Sequence, residues 1–348
     1  MSVLRLPAEF DSISLSGKRY IVTGGTSGSG LETVVFLVKH GADVVTTGRN
    51  LERGQSLLNK KIDEESRKRV TLMSLELGNL KSIELFVEDV KARWDRIDGL
   101  VNNAGGLHIS NDTASMLLGD KKYDRMFIEN HVGPFHLTNL LLPLLEATGT
   151  GSRIVNVSSF MHDNYQGSNG SSNLKQSSIF FDDIHYRQRK FDPMQSYGQS
   201  KLANVLHAKE LASRYGTRGI YAFSLHPGFM NSGFAREFSC CAAICIKSLI
   251  CCLGTCMPKM SPVSDVDGAQ TSLYCLLSED ALQHNGKYFS QLAMIGYSKG
   301  DDKGWPLDSQ NPESADKEIA SKLWTVSAEL VEEMKRSETS LVATNTTA

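Results

Sequence analysis

Short apolar runs rich in β-branched residues alternate along the chain with longer stretches whose apolar residues recur every three or four positions. The runs Arg19–Gly24 (RYIVTG), Ala42–Thr47 (ADVVTT), Val70–Leu77, Asp98–Asn102, Arg153–Ser158 and Ile220–His226 read as strands. Helices are expected between them, near 28–40, 50–66, 80–95, 122–147 and 195–215. Near-continuous apolar strands joined by helical crossovers predict an α/β fold: a doubly wound parallel sheet with helices on both faces. Two segments interrupt the rhythm. Residues 160–196 carry GSNGSSNLKQSS and read as an inserted surface loop. Phe238–Lys259, FSCCAAICIKSLICCLGTCMPK, is apolar and holds six of the seven cysteines. Residues 1–15 read as an N-terminal extension, and 16–336 as one domain. The tail Ser337–Ala348 has little to bury and is expected to lack structure.

Composition alters this picture little. A hydrophobic fraction of 41% suffices for a large core, and a formal net charge of −2 gives no electrostatic case for nucleic acid. The N-terminal stretch lacks the apolar region of a signal peptide, so a cytoplasmic location with reduced cysteines is expected.

The chemistry concentrates at the strand ends. The first strand runs into Thr23–Gly30 (TGGTSGSG), followed by an apolar helix. Glycines at 24, 28 and 30 permit a tight turn, and the following helix N-terminus favours an anion. In a strand–turn–helix context this predicts a Rossmann-like dinucleotide site. The second strand ends in TTGRN, so Arg49 stands where a ribose-binding carboxylate would select NAD. A guanidinium there suits a 2′-phosphate, hence NADP(H). Farther on, Tyr197 and Lys201 lie four residues apart on one helical face. A neighbouring ammonium is expected to lower the phenol pKa and fit Tyr197 for general acid/base work.

With NNAG at Asn102–Gly105, the Asn130 segment ENHVGPFHLTNLLLP, IVNVSS, YGQSK and HPGFMNS in this order, the chain resembles the classical short-chain dehydrogenase/reductase family over about Ser16–Glu332. The stretches SYGQSKLANVLHAKELASR, DGAQTSLYCLLSE and GKYFS look most like its retinol dehydrogenase and WW-domain oxidoreductase branch. The resemblance implies a catalytic set of Asn130, Ser159, Tyr197 and Lys201. It places Gly24, Ser27, Ser29 and Gly30 along the pyrophosphate, and Glu76 and Leu77 near the adenine. Asn103 would stand by the adenosine ribose, and Pro227, Gly228 and Met230 by the carboxamide. Residues 230–262 would then form a substrate lid.

The cysteine spacing lacks paired C-x-x-C motifs and nearby histidine, so no metal is expected. Lys247 in mid-run argues against a membrane span, whereas peripheral lipid contact through 238–259 stays open. His131 and His136 read as packed residues, His226 as a structural hydrogen-bonding residue, and Asp182–Asp183 as a turn or cap. The expected function is NADP(H)-dependent interconversion of a carbonyl and an alcohol on a lipophilic small molecule, retinoid-, steroid- or lipid-aldehyde-like. The alternatives are an NADP(H)-binding regulatory scaffold and a light-dependent tetrapyrrole reductase. A homodimer would follow the family habit.

Overall fold

Alternation within the strands decides the layers. Ile21, Val45, Leu100, Ile154 and Ala222 join one core, while Val22, Val44, Val101, Val155 and Phe223 join another. Successive residues of a strand face opposite sides, so a sheet with both sets buried needs helices on both faces.

The computed structural model describes residues 5–108, 115–118, 121–166, 174–228, 230, 263–291, 306 and 308–346. Its strands are β1 (Arg19–Val22), β2 (Asp43–Thr47), β3 (Val70–Met73), β4 (Gly99–Asn102), β5 (Ser115–Leu118), β6 (Lys121–Asp124), β7 (Ser152–Val157), β8 (Asn164–Gln166), β9 (Leu174–Gln176), β10 (Ile220–His226) and β11 (Tyr288–Ser290). Seven form one sheet in the order β11-β10-β7-β4-β1-β2-β3. Every pair in it is parallel. The main helices are α1 (Gly28–Lys39), α2 (Leu51–Asn59), α3 (Glu64–Arg67), α4 (Leu80–Arg93), α5 (Gly133–Glu146), α6 (Pro193–Tyr215), α7 (Asp265–Leu277) and α8 (Lys317–Thr346). Apolar residues of α4, α5, α6 and α8 fill the first core, and those of α1 and α7 the second. The result is a single Rossmann-like domain. The order reverses at β1, between β2 and β4, which opens a crevice at the carboxyl ends of the strands.

Several expectations shift. The helix expected over 50–66 is two, because the Asp63 carboxylate accepts the Ser66 N–H at 2.8 Å and caps α3. The stretch 122–147 begins as strand β6, then passes through Arg125–Phe127 and a π-helical turn, Ile128–Val132, into α5. The tail expected to lack structure is helical through Thr346. Leu323, Leu330, Val331 and Met334 bury one face of α8, and the Ser337 hydroxyl bonds back to the Glu333 carbonyl at 3.1 Å. Residues 167–173 of the inserted loop, the lid beyond Met230 and the cysteine-rich run lie outside the described residues. The seventh cysteine, Cys275, is a buried free thiol in α7. Among the described residues no helix is long and apolar enough to cross a membrane.

Asp98 fastens the amino end of the sheet. Its buried carboxylate accepts from Lys18 Nζ at 2.9 Å, Arg19 N–H at 2.9 Å and Arg96 Nη1 at 3.0 Å. Truncation leaves these donors unmatched. Asp98→Ala is expected to cost about 2 kcal/mol in urea unfolding, with activity per folded molecule unchanged, because the crevice is at the opposite end. A loss under about 0.5 kcal/mol would refute the fastening role.

Candidate active site

Thr23 closes β1 by accepting the Asn103 and Ala104 N–H groups, each at 3.0 Å, on its hydroxyl. The Asn103 side chain returns the tie, donating to the Thr23 carbonyl at 2.8 Å and the Gly24 carbonyl at 3.3 Å. Gly24 adopts φ 69°, which favours glycine, and its N–H reaches the Thr47 hydroxyl at 3.0 Å. A Cβ on Gly30 would fall 2.4 Å from Asn103 Nδ2, so Gly30 serves close packing of loop and helix. The helix α1 then starts at Ser27 without a side-chain cap, whereas Asn50, Asp63, Asn79, Asp192 and Ser264 cap theirs. Its first N–H groups therefore point outward as donors for an anion.

These elements open onto a cleft of about 860 Å³. Of the residues expected at the site, Gly24, Ser27, Ser29, Arg49, Glu76, Leu77, Asn103, Tyr197, Lys201, Pro227 and Met230 line it. Gly30, Gly228, Asn130 and Ser159 are not among its lining residues. Gly228 turns the chain at φ 90° beside Val263. Arg49 is exposed and has no ion-pair partner among the described residues.

The opposite end holds the titratable pair. Ser159 lies two residues beyond β7, at the cap of the turn Phe160–His162, and hydrogen-bonds the Tyr197 phenol. Its hydroxyl also accepts the Met161 N–H at 3.3 Å. Lys201 Nζ donates to the Val157 carbonyl at 3.1 Å and lies 5.4 Å from the centre of the Tyr197 ring. Asn130 sits in the π-helical turn, an irregularity common at functional sites. There its side chain donates to the Gly106 carbonyl (2.9 Å) and Ser200 Oγ (3.1 Å) and accepts the Gly106 N–H at 2.9 Å. Burial dominates the ionisation of the pair. It pushes the Tyr197 phenol up to about 12, opposed by the Ser159 hydrogen bond. It pulls the Lys201 ammonium down to about 8. The expected lowering of the phenol by its lysine does not figure in this balance; desolvation, which disfavours both charges, sets the direction for each group.

The other polar residues sort by contact. His131 is buried against Ser327 at 2.8 Å and held down to about 3 by burial. His136 is buried with Glu84 at 3.8 Å. The His226 carbonyl accepts the Gln291 N–H at 3.0 Å, in keeping with a structural hydrogen-bonding residue, and its ring packs edge-on against Phe160. Asp183 caps a turn, accepting the Arg187, Gln188 and Arg189 N–H groups. Sequence reasoning missed the support behind Ser159, where His162 Nδ1 meets the Ser159 carbonyl at 2.6 Å. Asn311 braces the same turn through the His162 carbonyl at 2.8 Å. It also missed Arg125, Glu129 and Glu338 in the cleft wall. No local motif announces these residues, since fold alone brings them together.

The short chain dehydrogenase family model matches residues 18–171. Human retinol dehydrogenase 13 is 30% identical over 91% of this chain and 86% of its own length. Mouse retinol dehydrogenase 12 is 31% identical over 92% and 88%. The chain belongs to the short chain dehydrogenase family. Among solved structures, an uncharacterized protein from Mycobacterium paratuberculosis superposes with a TM-score of 0.64 at 24% identity, covering 94% of this chain and 98% of that one. The Pseudomonas aeruginosa RhlG/NADP complex gives 0.61 at 19%, covering 82% and 97%. At these identities the structures speak for the fold. The short chain dehydrogenase match ends before Tyr197 and Lys201, so the fold carries these two to the glycine loop from outside the matched segment.

Proposed function

We propose that this chain is an NADP(H)-dependent oxidoreductase interconverting a carbonyl and an alcohol on a lipophilic substrate, with Tyr197 exchanging the proton. The observation carrying the reading is that Tyr197 and Lys201 line the same cleft as the glycine loop and Arg49, with Ser159 bonded to the phenol. When bound, the nicotinamide supplies the hydride, and the protein supplies orientation and the proton. The N–H groups at the start of α1 suit the pyrophosphate, and the fit is supported by the positive φ of Gly24 and Gly28 and by the close packing of Gly30 on Asn103. Ser159 Oγ orients the substrate oxygen toward the phenol, and Tyr197 Oη donates to it in reduction. Lys201 binds the nicotinamide ribose and stabilises the phenolate left behind. Asn130 keeps the Gly105–Gly106 turn seated beside Lys201.

A lipophilic substrate is supported by the apolar residues around Tyr197, among them Leu107, Met126 and Met161, with Phe160, Phe191 and Met194 packed beside them. Relatives named retinol dehydrogenases agree with it. Peripheral membrane contact through 238–259 belongs to the same reading, since a lipid surface concentrates such substrates. The test is NADPH oxidation, followed by absorbance, with retinal, a steroid ketone and medium-chain aldehydes. Tight NADPH binding without turnover of any of them would favour the scaffold alternative.

Cofactor choice has its own test. Arg49→Ala is expected to weaken NADPH binding about 30-fold and NADH binding about twofold or less, measured as Kd. Equal losses would sink the 2′-phosphate assignment.

A further inference from the structure

The last helix reaches the cleft. Glu338, near the end of α8, is one of its lining residues, and its carboxylate accepts the Leu80 N–H at the start of α4. Two contacts hold α8 in this position. Glu333 receives the Tyr123 hydroxyl at 2.7 Å and Lys121 Nζ at 3.1 Å, both from β6. Lys335 Nζ lies 3.9 Å from Glu84 on α4. The hairpin strand β5 is fixed by the same packing, and its Met116 and Leu118 also face the cleft.

Strand order locates what Glu338 would meet. The pyrophosphate loop follows β1, and the residue that contacts the ribose follows β2, here Arg49. The neighbour beyond β2 is β3, so a dinucleotide running along the strand ends in this order would bring its base to the segment after β3, Ser74–Asn79, which lines the cleft. Leu80, the partner of Glu338, follows directly. A carboxylate only accepts hydrogen bonds, and the adenine edge offers one donor group, its exocyclic amine. Burial and the nearby Glu84 raise the Glu338 pKa, so a further donor would relieve this carboxylate.

We propose that Glu338 is a base-reading residue, its carboxylate accepting the exocyclic amine of adenine while Glu333 and Lys335 hold the helix in place. The inference rests on the reading of the cleft as a dinucleotide site. It assigns part of that site to a helix far outside the matched family segment.

The test compares NADPH with its hypoxanthine analogue, which carries an oxo group in place of the amine, by titration calorimetry. The wild type is expected to bind NADPH about tenfold more tightly than the analogue, the worth of one charge-assisted hydrogen bond. Glu338→Ala should lose that preference by weakening NADPH alone. Glu338→Gln, isosteric and able to donate, should move the preference toward the analogue. Equal weakening of both ligands in both variants, or a preference that survives Glu338→Ala and vanishes in Glu76→Ala, overturns the proposal. A wild type that binds both equally overturns it while leaving the dinucleotide reading intact. A wild type that binds neither overturns both.

Discussion

Tyr197→Phe is expected to lower turnover about a thousandfold while changing the NADPH Kd by less than about twofold. The ring stays, packed with Leu107, Met126 and Met161, so the wall of the cleft keeps its shape. Only the proton-bearing oxygen is lost, along with the Ser159 hydrogen bond that it makes. Since burial pushes the phenol up to about 12, Tyr197 holds its proton at neutral pH. The wild type is therefore expected to reduce a carbonyl more readily than it oxidises the alcohol under those conditions. Steady-state rates in both directions on the best substrate of the panel check this. A variant retaining more than about a tenth of the activity would remove Tyr197 from the proton transfer.

Where the sequence was legible, the signal was local. Ile21 and Val22 alternate between two cores because they are neighbours in a strand, and that period is visible in six short runs. Gly24 and Gly30 were legible because a turn with φ 69° and a contact of 2.4 Å to Asn103 leave no room for another residue. Asn103 was read for its motif, yet its amide is spent on the Thr23 and Gly24 carbonyls, a role that appears only with β1 and β4 paired. The π-helical turn at Asn130 has no distinct sequence signature, because its apolar spacing is that of a helix. The tail was misread by composition. Ser337–Ala348 is polar and small, but α8 is already held by Leu323, Leu330 and Met334 when it reaches that segment. Propagating a helix costs little once it is nucleated. The contact between Glu338 and Leu80 is tertiary, and only packing of α8 on α4 creates it.

Lys201→Met should abolish most activity and stabilise the fold at the same time. Lys201 is 4% exposed, and its ammonium donates to the Val157 carbonyl. Burial lowers its pKa from 10.5 to about 8. Holding that group charged at neutral pH costs on the order of 3 kcal/mol, and methionine of similar length forfeits about 1 kcal/mol of hydrogen bond. The net expectation is a gain of about 2 kcal/mol in denaturant unfolding without added dinucleotide. The sign of its pH dependence follows from the lowered folded-state pKa. Below about pH 8 both folded and unfolded lysine are protonated, and the wild type carries the full penalty. As pH rises from there toward 10.5, the folded lysine releases its proton first, and the gap between wild type and variant closes. Activity should fall at least about a hundredfold, because the phenolate loses its counter-charge. Unfolding curves at several pH values, paired with rates, separate the two effects. A variant less stable than wild type at neutral pH would mean that Lys201 is held by interactions stronger than its single carbonyl bond. A variant more stable yet inactive would show a charge kept in the core at the expense of stability, beside the one phenol that uses it.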